Sequence, residues 1–337
     1  MTRGKIILLT TVLLTVLCFG VFAGGTQESM SADGSDQAQP VEQDDLKIVI
    51  AALKGPSGMA VAKMVDENFQ PGFNTTAEYV VLGSPLEAVT KMTSGEIDAA
   101  FLPVNTAAKL YSTGLDFKLA AVSGLGSLFM LSSDTAVSEW TDLKGKTIYL
   151  TGKGATPDYL LRYLLKEHGI DPEKDVVLNF TAQPPQIVQL LAAGKADTAF
   201  IPQPFALMAK MKTPAEIVLD PQKELMSIRG KERPFPFTAF VLSERLINER
   251  PEAAEAVASA LDNSIGWVMA NPEPAAEVIE EIGILGAAVA KMAIPVSGIE
   301  FIPAVESKTM VEDFLQMLLE LDPVSVGGQL PDEGFYF

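Results

Sequence analysis

From Ile48 to Leu53 the chain reads IVIAAL, six apolar positions in a row, and from Asp98 a second short run, DAAFLP, closes on a proline. Runs of this length without polar alternation suit strands buried on both faces, and proline ends them because it cannot donate to the ladder. Elsewhere the apolar positions follow the helical period. Leu160, Leu161, Leu164 and Leu165 make one stripe, and the residues before it read as a helix start. Thr156 is the expected N-cap, Pro157 the first helical position, and Asp158 suits the positive end of the helix dipole. Gly169, directly after His168, is the expected C-cap. After Arg250 a long helical pattern with a proline break turns Val257, Leu261, Ile265 and Val268 inward. Strand, glycine-containing turn, helix, strand, helix, strand is the alternation of an α/β fold with mainly parallel sheets.

The same alternation occurs twice. Sliding the chain by ninety-nine residues lays Leu82–Lys109 on Thr181–Met208 without a gap, pairing Pro85 with Pro184, Gly95 with Gly194, Asp98 with Asp197, Phe101 with Phe200 and Pro103 with Pro202. The same offset lays the segment from Ile48 on the segment from Thr147, so that Lys54-Gly55 meets Lys153-Gly154 and Ser57 meets Thr156. Two related lobes follow. The apolar runs Ala120–Leu131 and Pro234–Ser243 flank the second copy, where the chain must leave one lobe and later return. Lobe one is therefore expected over 46–123 plus 240–337, and lobe two over 127–235.

The first residues do not belong to either lobe. Arg3 and Lys5 precede an apolar run from Ile6 to about Phe22, and Val21-Phe22-Ala23 fits a small-residue cleavage site, so 1–23 reads as a secretory signal. The sole cysteine, Cys18, lies inside that run; lipidation there is the second reading, with bulky Leu17 against it. A mature chain without cysteine excludes disulfides and cysteine-ligated metals. Residues 24–45 are rich in Gly, Ser, Gln and Asp and read as a flexible linker.

Length and charge narrow the class further. The 337 residues allow about two domains at roughly 150 each. Net charge is −18, and loss of the signal takes two of the 25 basic residues, leaving the mature chain near −20. Nucleic acid is an unsuitable partner for such a surface, since that binding relies on basic side chains.

The chain resembles the substrate-binding proteins of ABC importers, above all the sulfonate, nitrate and taurine group and its thiamine-pyrimidine-synthase-like relatives. The likeness rests on SGEIDAAFLP and its echo AGKADTAFIPQP, on DLKGKTIYLTGKGATPDYLLRYLLKEHGIDPEKDV, and on the late NPEPAAEVI helix. It implies a two-lobed, type II periplasmic-binding-protein-like α/β fold, with two mixed, mainly parallel sheets joined by two crossover strands. It also implies a small-molecule ligand in the cleft, of sulfonate or pyrimidine and thiamine-precursor class, and permease and ATPase subunits as partners. A monomer outside the cytoplasm, with no cofactor and no metal, completes the expectation.

Open α/β sheets bind ligands outside the carboxyl ends of their strands, where helix N-termini point. That rule nominates Lys54, Ser57, Ser84, Asn105 and Thr106 in lobe one, and Lys153, Thr156, Gln183 and Gln203 in lobe two. Ser123 and Thr238 lie near the crossings. Each has a plainer reading: Ser57 and Thr156 as ordinary caps, Lys54 and Lys153 as solvated charges. Gly-Lys-Gly-Ala-Thr lacks P-loop spacing, and His168 reads as a helix-end residue. An enzyme on the same fold, pyrimidine-synthase-like or menaquinone-pathway-like, is the alternative, and an extracellular sensor a third. The synthase resemblance brings a cysteine-rich segment and a working histidine that the mature chain does not supply.

Overall fold

The computed structural model describes residues 45–337. The expected signal 1–23, Cys18 within it and all but the last residue of the 24–45 linker lie outside the described residues. The first repeat folds as β1 (Leu46–Leu53), α1 (Pro56–Ala60), α2 (Ala62–Asp66), β2 (Thr75–Leu82), α3 (Pro85–Thr93), β3 (Ala99–Pro103) and α4 (Val104–Ser112). Two strands, β4 (Phe117–Leu125) and β5 (Leu128–Ser132), then follow almost end to end. The second repeat is β6 (Thr147–Leu150), α5 (Thr156–Glu167), β7 (Val177–Asn179), α6 (Pro184–Ala192), β8 (Thr198–Pro202) and α7 (Phe205–Lys212), extended by β9 (Glu216–Leu219) and α8 (Pro221–Arg229). The chain closes with β10 (Pro236–Ser243), α9 (Glu244–Glu249), α10 (Pro251–Ala270), α11 (Pro272–Glu281), α12 (Ala287–Ala293), β11 (Ile299–Pro303) and α13 (Ala304–Leu321).

These strands form two sheets, ordered β11-β4-β10-β3-β1-β2 and β7-β6-β8-β5-β9. Started from β2 and from β7, both sheets have one plan. The repeat supplies three parallel strands, and a strand delivered by a crossing runs antiparallel beside the third: β10 against β3, and β5 against β8. The sheets are mixed, as expected. Their parallel share is smaller than the repeat suggests, four of nine pairings, because every strand the crossings bring runs against its neighbours.

The ninety-nine-residue offset reappears in the elements: α3 and α6, and β3 and β8, match residue for residue. Gly95 and Gly194 end the two helices at φ of +74° and +62°, a region glycine enters without penalty. At each, the following amide donates back into the last turn, Glu96 to Lys91 O and Lys195 to Leu190 O, both at 2.9 Å.

Apolar runs become core as the pattern requires. Phe101 and Phe240 are fully buried, stand opposite each other on neighbouring strands, and hold their rings 4.9 Å apart. Leu160, Leu161, Leu164 and Leu165 are all fully buried, each worth roughly 1.5–3 kcal/mol against exposure. One hydrophobic cluster runs through both sheets, joining Leu102 and Leu125 to Leu128, Ile148 and Leu160. Phe314 of α13 extends it by stacking on Phe235, with rings 5.3 Å apart.

Two helix starts differ from expectation. α5 begins at Thr156 itself, with Ala155 as the capping residue. Asp158 serves the first turn instead, its carboxylate accepting Gly154 N at 2.9 Å. α1 likewise starts at Pro56 with Gly55 before it, so Ser57 lies inside the helix. Neither hydroxyl is an N-cap.

Candidate functional site

Strand directions place the site. β3 and β4 both run antiparallel to β10, so β4 ends at Leu125 on the same side as the carboxyl ends of β1, β2 and β3. In the other sheet Leu128, the first residue of β5, pairs with Pro202, the last of β8. The carboxyl ends of both strand triplets therefore meet at the two crossings, 126–127 and 230–235. Three backbone bonds knit this junction. Gly126 N donates to Phe235 O at 2.9 Å, Leu125 N to Gly298 O at 2.8 Å, and Gln203 N to Ser127 O at 2.8 Å. The first crossing is tight: a Cβ on Gly126 would stand 2.3 Å from Gln222 Cγ and force that side chain to move.

Six of the nominated residues gather here. Thr156 Oγ1 donates to Asn105 Oδ1 at 3.0 Å, and Asn105 Nδ2 donates to Ser325 O at 3.0 Å. Both side chains are fully buried, so this chain of bonds ties the start of α5 to the start of α4. Gln203 is buried, and its Oε1 accepts Leu207 N at 3.0 Å, capping α7. Ser123 is buried with its hydroxyl 3.5 Å from Thr238 O, a contact at the outer limit of a hydrogen bond. Thr238 itself lies opposite Pro103. Thr106, half-buried, follows Asn105 on α4.

The remaining five stay with their own strand ends. Ser57 turns its hydroxyl onto Leu53, accepting its N–H at 3.0 Å. Ser84 caps α3, accepting Glu87 N at 3.3 Å. Gln183 is exposed before α6, and its N–H goes to Gln186 Oε1 at 2.9 Å. Lys54 is exposed after β1. Lys153 is exposed after β6, its ammonium 5.9 Å from the Phe180 ring centroid.

The junction also holds residues that spacing did not single out. Gln222, 8% exposed, lies beside Gly126, and its Oε1 is buried without a partner among the described residues. A buried amide oxygen in this state calls for a donor. Tyr159 of α5 faces Asp322; burial first, then the carboxylate, pushes its hydroxyl up to about 12. The sequence carries no signal for either, since each partner is remote along the chain.

His168 is a helix-end residue, its ring stacked on Trp140 at 5.4 Å and its Nε2 3.1 Å from Glu224 Oε1. Among the described residues no group of three or more His, Cys, Asp or Glu is placed to hold a metal, and no helix is long and apolar enough to cross a membrane. Hydroxyls, amides, helix N-termini and two exposed lysines make this a chemistry of recognition.

A family model described as the NMT1-like family matches residues 39–283. The putative binding protein YtlA of Bacillus subtilis is 25% identical over 143 residues, 42% of this chain and 41% of that protein. The nitrate/nitrite binding protein NrtA of a Nostoc species is 27% identical over 135 residues, 40% of this chain and 29% of that protein. The chain thus spans about two fifths or less of the length of the curated relatives it matches. A crystal structure of an ABC transporter from Parabacteroides distasonis, 29% identical, covers 87% of this chain and 99% of its own, with a TM-score of 0.73. The alkanesulfonate-binding protein SsuA from Xanthomonas axonopodis, bound to MOPS, shares the fold at 18% identity, over 86% of this chain and 96% of its own, with a TM-score of 0.67.

Proposed function

The chain belongs to the NMT1-like family, and from that premise we propose that it is the extracytoplasmic solute-binding component of an ABC importer. Its two lobes, 46–123 with 240–337 and 127–235, close over a small organic ligand. The observation that carries this reading is the shared strand plan: two equivalent triplets end at one junction that the chain crosses twice. Relatives and structural neighbours bearing binding-protein names support a binder over an enzyme. His168, already stacked and bonded, points the same way.

The ligand class we favour is a sulfonate, ahead of a pyrimidine or thiamine precursor. Its anionic end would meet Lys54 and Lys153 near the positive ends of the α3 and α6 dipoles, which favour negative charge. Closing the lobes removes water and raises the weight of each such contact. The ligand's preference for the closed form then sets the population that permease and ATPase partners recognise. The chain acts in this scheme as a monomer outside the cytoplasm.

A thermal-shift screen of the mature protein against alkanesulfonates, taurine, nitrate and pyrimidines tests the reading. A ligand at about 100 times its Kd stabilises by about 2.7 kcal/mol, a readily measured rise in Tm. The rise is expected with a sulfonate and is lost in Lys54→Ala and Lys153→Ala, both still folded. Equal shifts in the variants and the parent would remove the lysines from the site. No shift with any sulfonate would remove the ligand class.

A further inference from the structure

A cavity of about 500 Å³ lies between α8, the return crossing and α13. It shares the return crossing with the junction but opens among other elements. α8 follows β9 and α13 follows β11, the edge strands farthest from β7 and β2, and none of the eleven nominated residues lines it. Its volume falls in the usual range for small-molecule sites, roughly 300–1,000 Å³.

The lining has two kinds of surface. The apolar part is the stacked pair Phe235 and Phe314 with Met226, Met310 and Met317. Aromatic faces and flexible thioethers together accept a flat ring better than a branched aliphatic body. The polar part is set by Arg229-Gly230-Lys231-Glu232-Arg233, three cations in five residues of a chain whose net charge is −18. Lys231 is paired with Asp313, and Arg233 with Glu300. The side chain of Arg229, at the last turn of α8, has neither an ion pair nor a hydrogen bond among the described residues. Two carboxylates in the lining compete with a bound anion: Glu306, exposed in the first turn of α13, and Glu232, exposed on the return crossing.

We propose that this cavity is a second ligand site, taking a small aromatic carboxylate whose ring lies against Phe235, Phe314 and the methionines and whose carboxylate meets Arg229. The guanidinium fork matches a carboxylate with two parallel N–H···O bonds, which an ammonium ligand cannot use.

Isothermal titration of the full mature chain with 2-naphthoate decides it. One saturable site is expected, weakened at least about 10-fold in Arg229→Gln, the loss of one charge-assisted pair. Met310→Glu, which puts a charge on the apolar wall, is expected to remove binding. Asn105→Ala and Lys153→Ala are expected to leave it unaltered, because those residues belong to the cleft. Absence of binding overturns the proposal, as does tighter binding of 2-naphthylmethylamine, which would hand the site to Glu232 and Glu306. Loss of binding in the cleft variants with retention in Arg229→Gln overturns it too. Should Met310→Glu fail to fold, Arg229→Gln, a partly exposed position, carries the test alone.

Discussion

Asp98 and Asp197 occupy the same point of the two repeats, one residue before β3 and β8, and live in opposite surroundings. Their backbones do the same work: Ser243 N donates to Asp98 O at 2.7 Å, and Ser133 N donates to Asp197 O at 2.9 Å. Their side chains do not. Asp98 is 3% exposed and accepts from Val49 N at 3.0 Å, Ser243 Oγ at 3.1 Å and the Arg245 guanidinium at 2.6 Å. Asp197 is exposed, with one weak side-chain hydrogen bond, from Ser133 Oγ at 3.4 Å, and with Lys146 near enough to feel its charge while ion-paired to Asp134. The difference comes from the strand each crossing delivers. β10 leads into α9 and brings Arg245, whereas β5 brings no cation. Duplication sets the backbone, and the crossings decide what each copy's side chains meet.

The largest expected effect separates these two carboxylates. Asp98→Ala leaves Val49 N and Ser243 Oγ buried without an acceptor and Arg245 without its partner, at a cost of about 3 kcal/mol. Asp197→Ala should stay within about 0.5 kcal/mol, as for a surface position. Urea denaturation of the two variants checks the contrast, and equal losses would break it.

A second contrast pairs Thr156 with Ser57, also ninety-nine residues apart. Thr156→Val removes the donor to Asn105 and leaves a buried amide oxygen unmet, for a loss of about 1–3 kcal/mol. Ser57→Ala removes a bond within one turn and should cost about 1 kcal/mol. Thr156 and Asn105 should also couple by about 0.5–3 kcal/mol in a double-mutant cycle, while Ser57 and Asn105 add independently.

Much of the fold was legible because it is local. The offset could be read from Pro85, Gly95, Asp98 and their echoes, since turns and helix ends are written in residues close along the chain. The leucine stripe of α5 was equally plain. The site was legible only as far as strand ends. Sheet direction, not spacing, sends Asn105 and Thr156 to each other while Lys54 and Lys153 stay in solvent. Gln222 against Gly126 and Asp322 against Tyr159 were illegible, because a single sequence does not say which remote residues meet. Thr156 was misread as a cap because Thr-Pro-Asp usually starts a helix one residue later. Here Asp158 takes the free N–H of Gly154 and releases the threonine hydroxyl to cross the junction.

The Tyr159 contact has a pH signature. Its folded value is raised to about 12 from an ordinary 10, so the folded state holds the proton more tightly than the unfolded state. The stability this brings is fully present below about pH 10 and is lost as pH rises towards 12. Tyr159→Phe should therefore flatten the alkaline fall in urea-unfolding free energy between pH 10 and 12. An unaltered slope in that variant would take Tyr159 out of the alkaline response.

The smallest effect tests where the two repeats should agree. Gly95 and Gly194 both sit at positive φ, and a Cβ on either would meet nothing within 4 Å. Alanine therefore meets no packing obstacle in either copy, only the left-handed backbone, which costs about 1 kcal/mol. Both variants should lose that amount and leave the urea m-value unchanged, since no surface is newly exposed in the native state. If one lost much more than the other, the two helix ends would differ in the helical turn itself. The divergence between the copies would then reach into the backbone, and the crossings alone would not account for it.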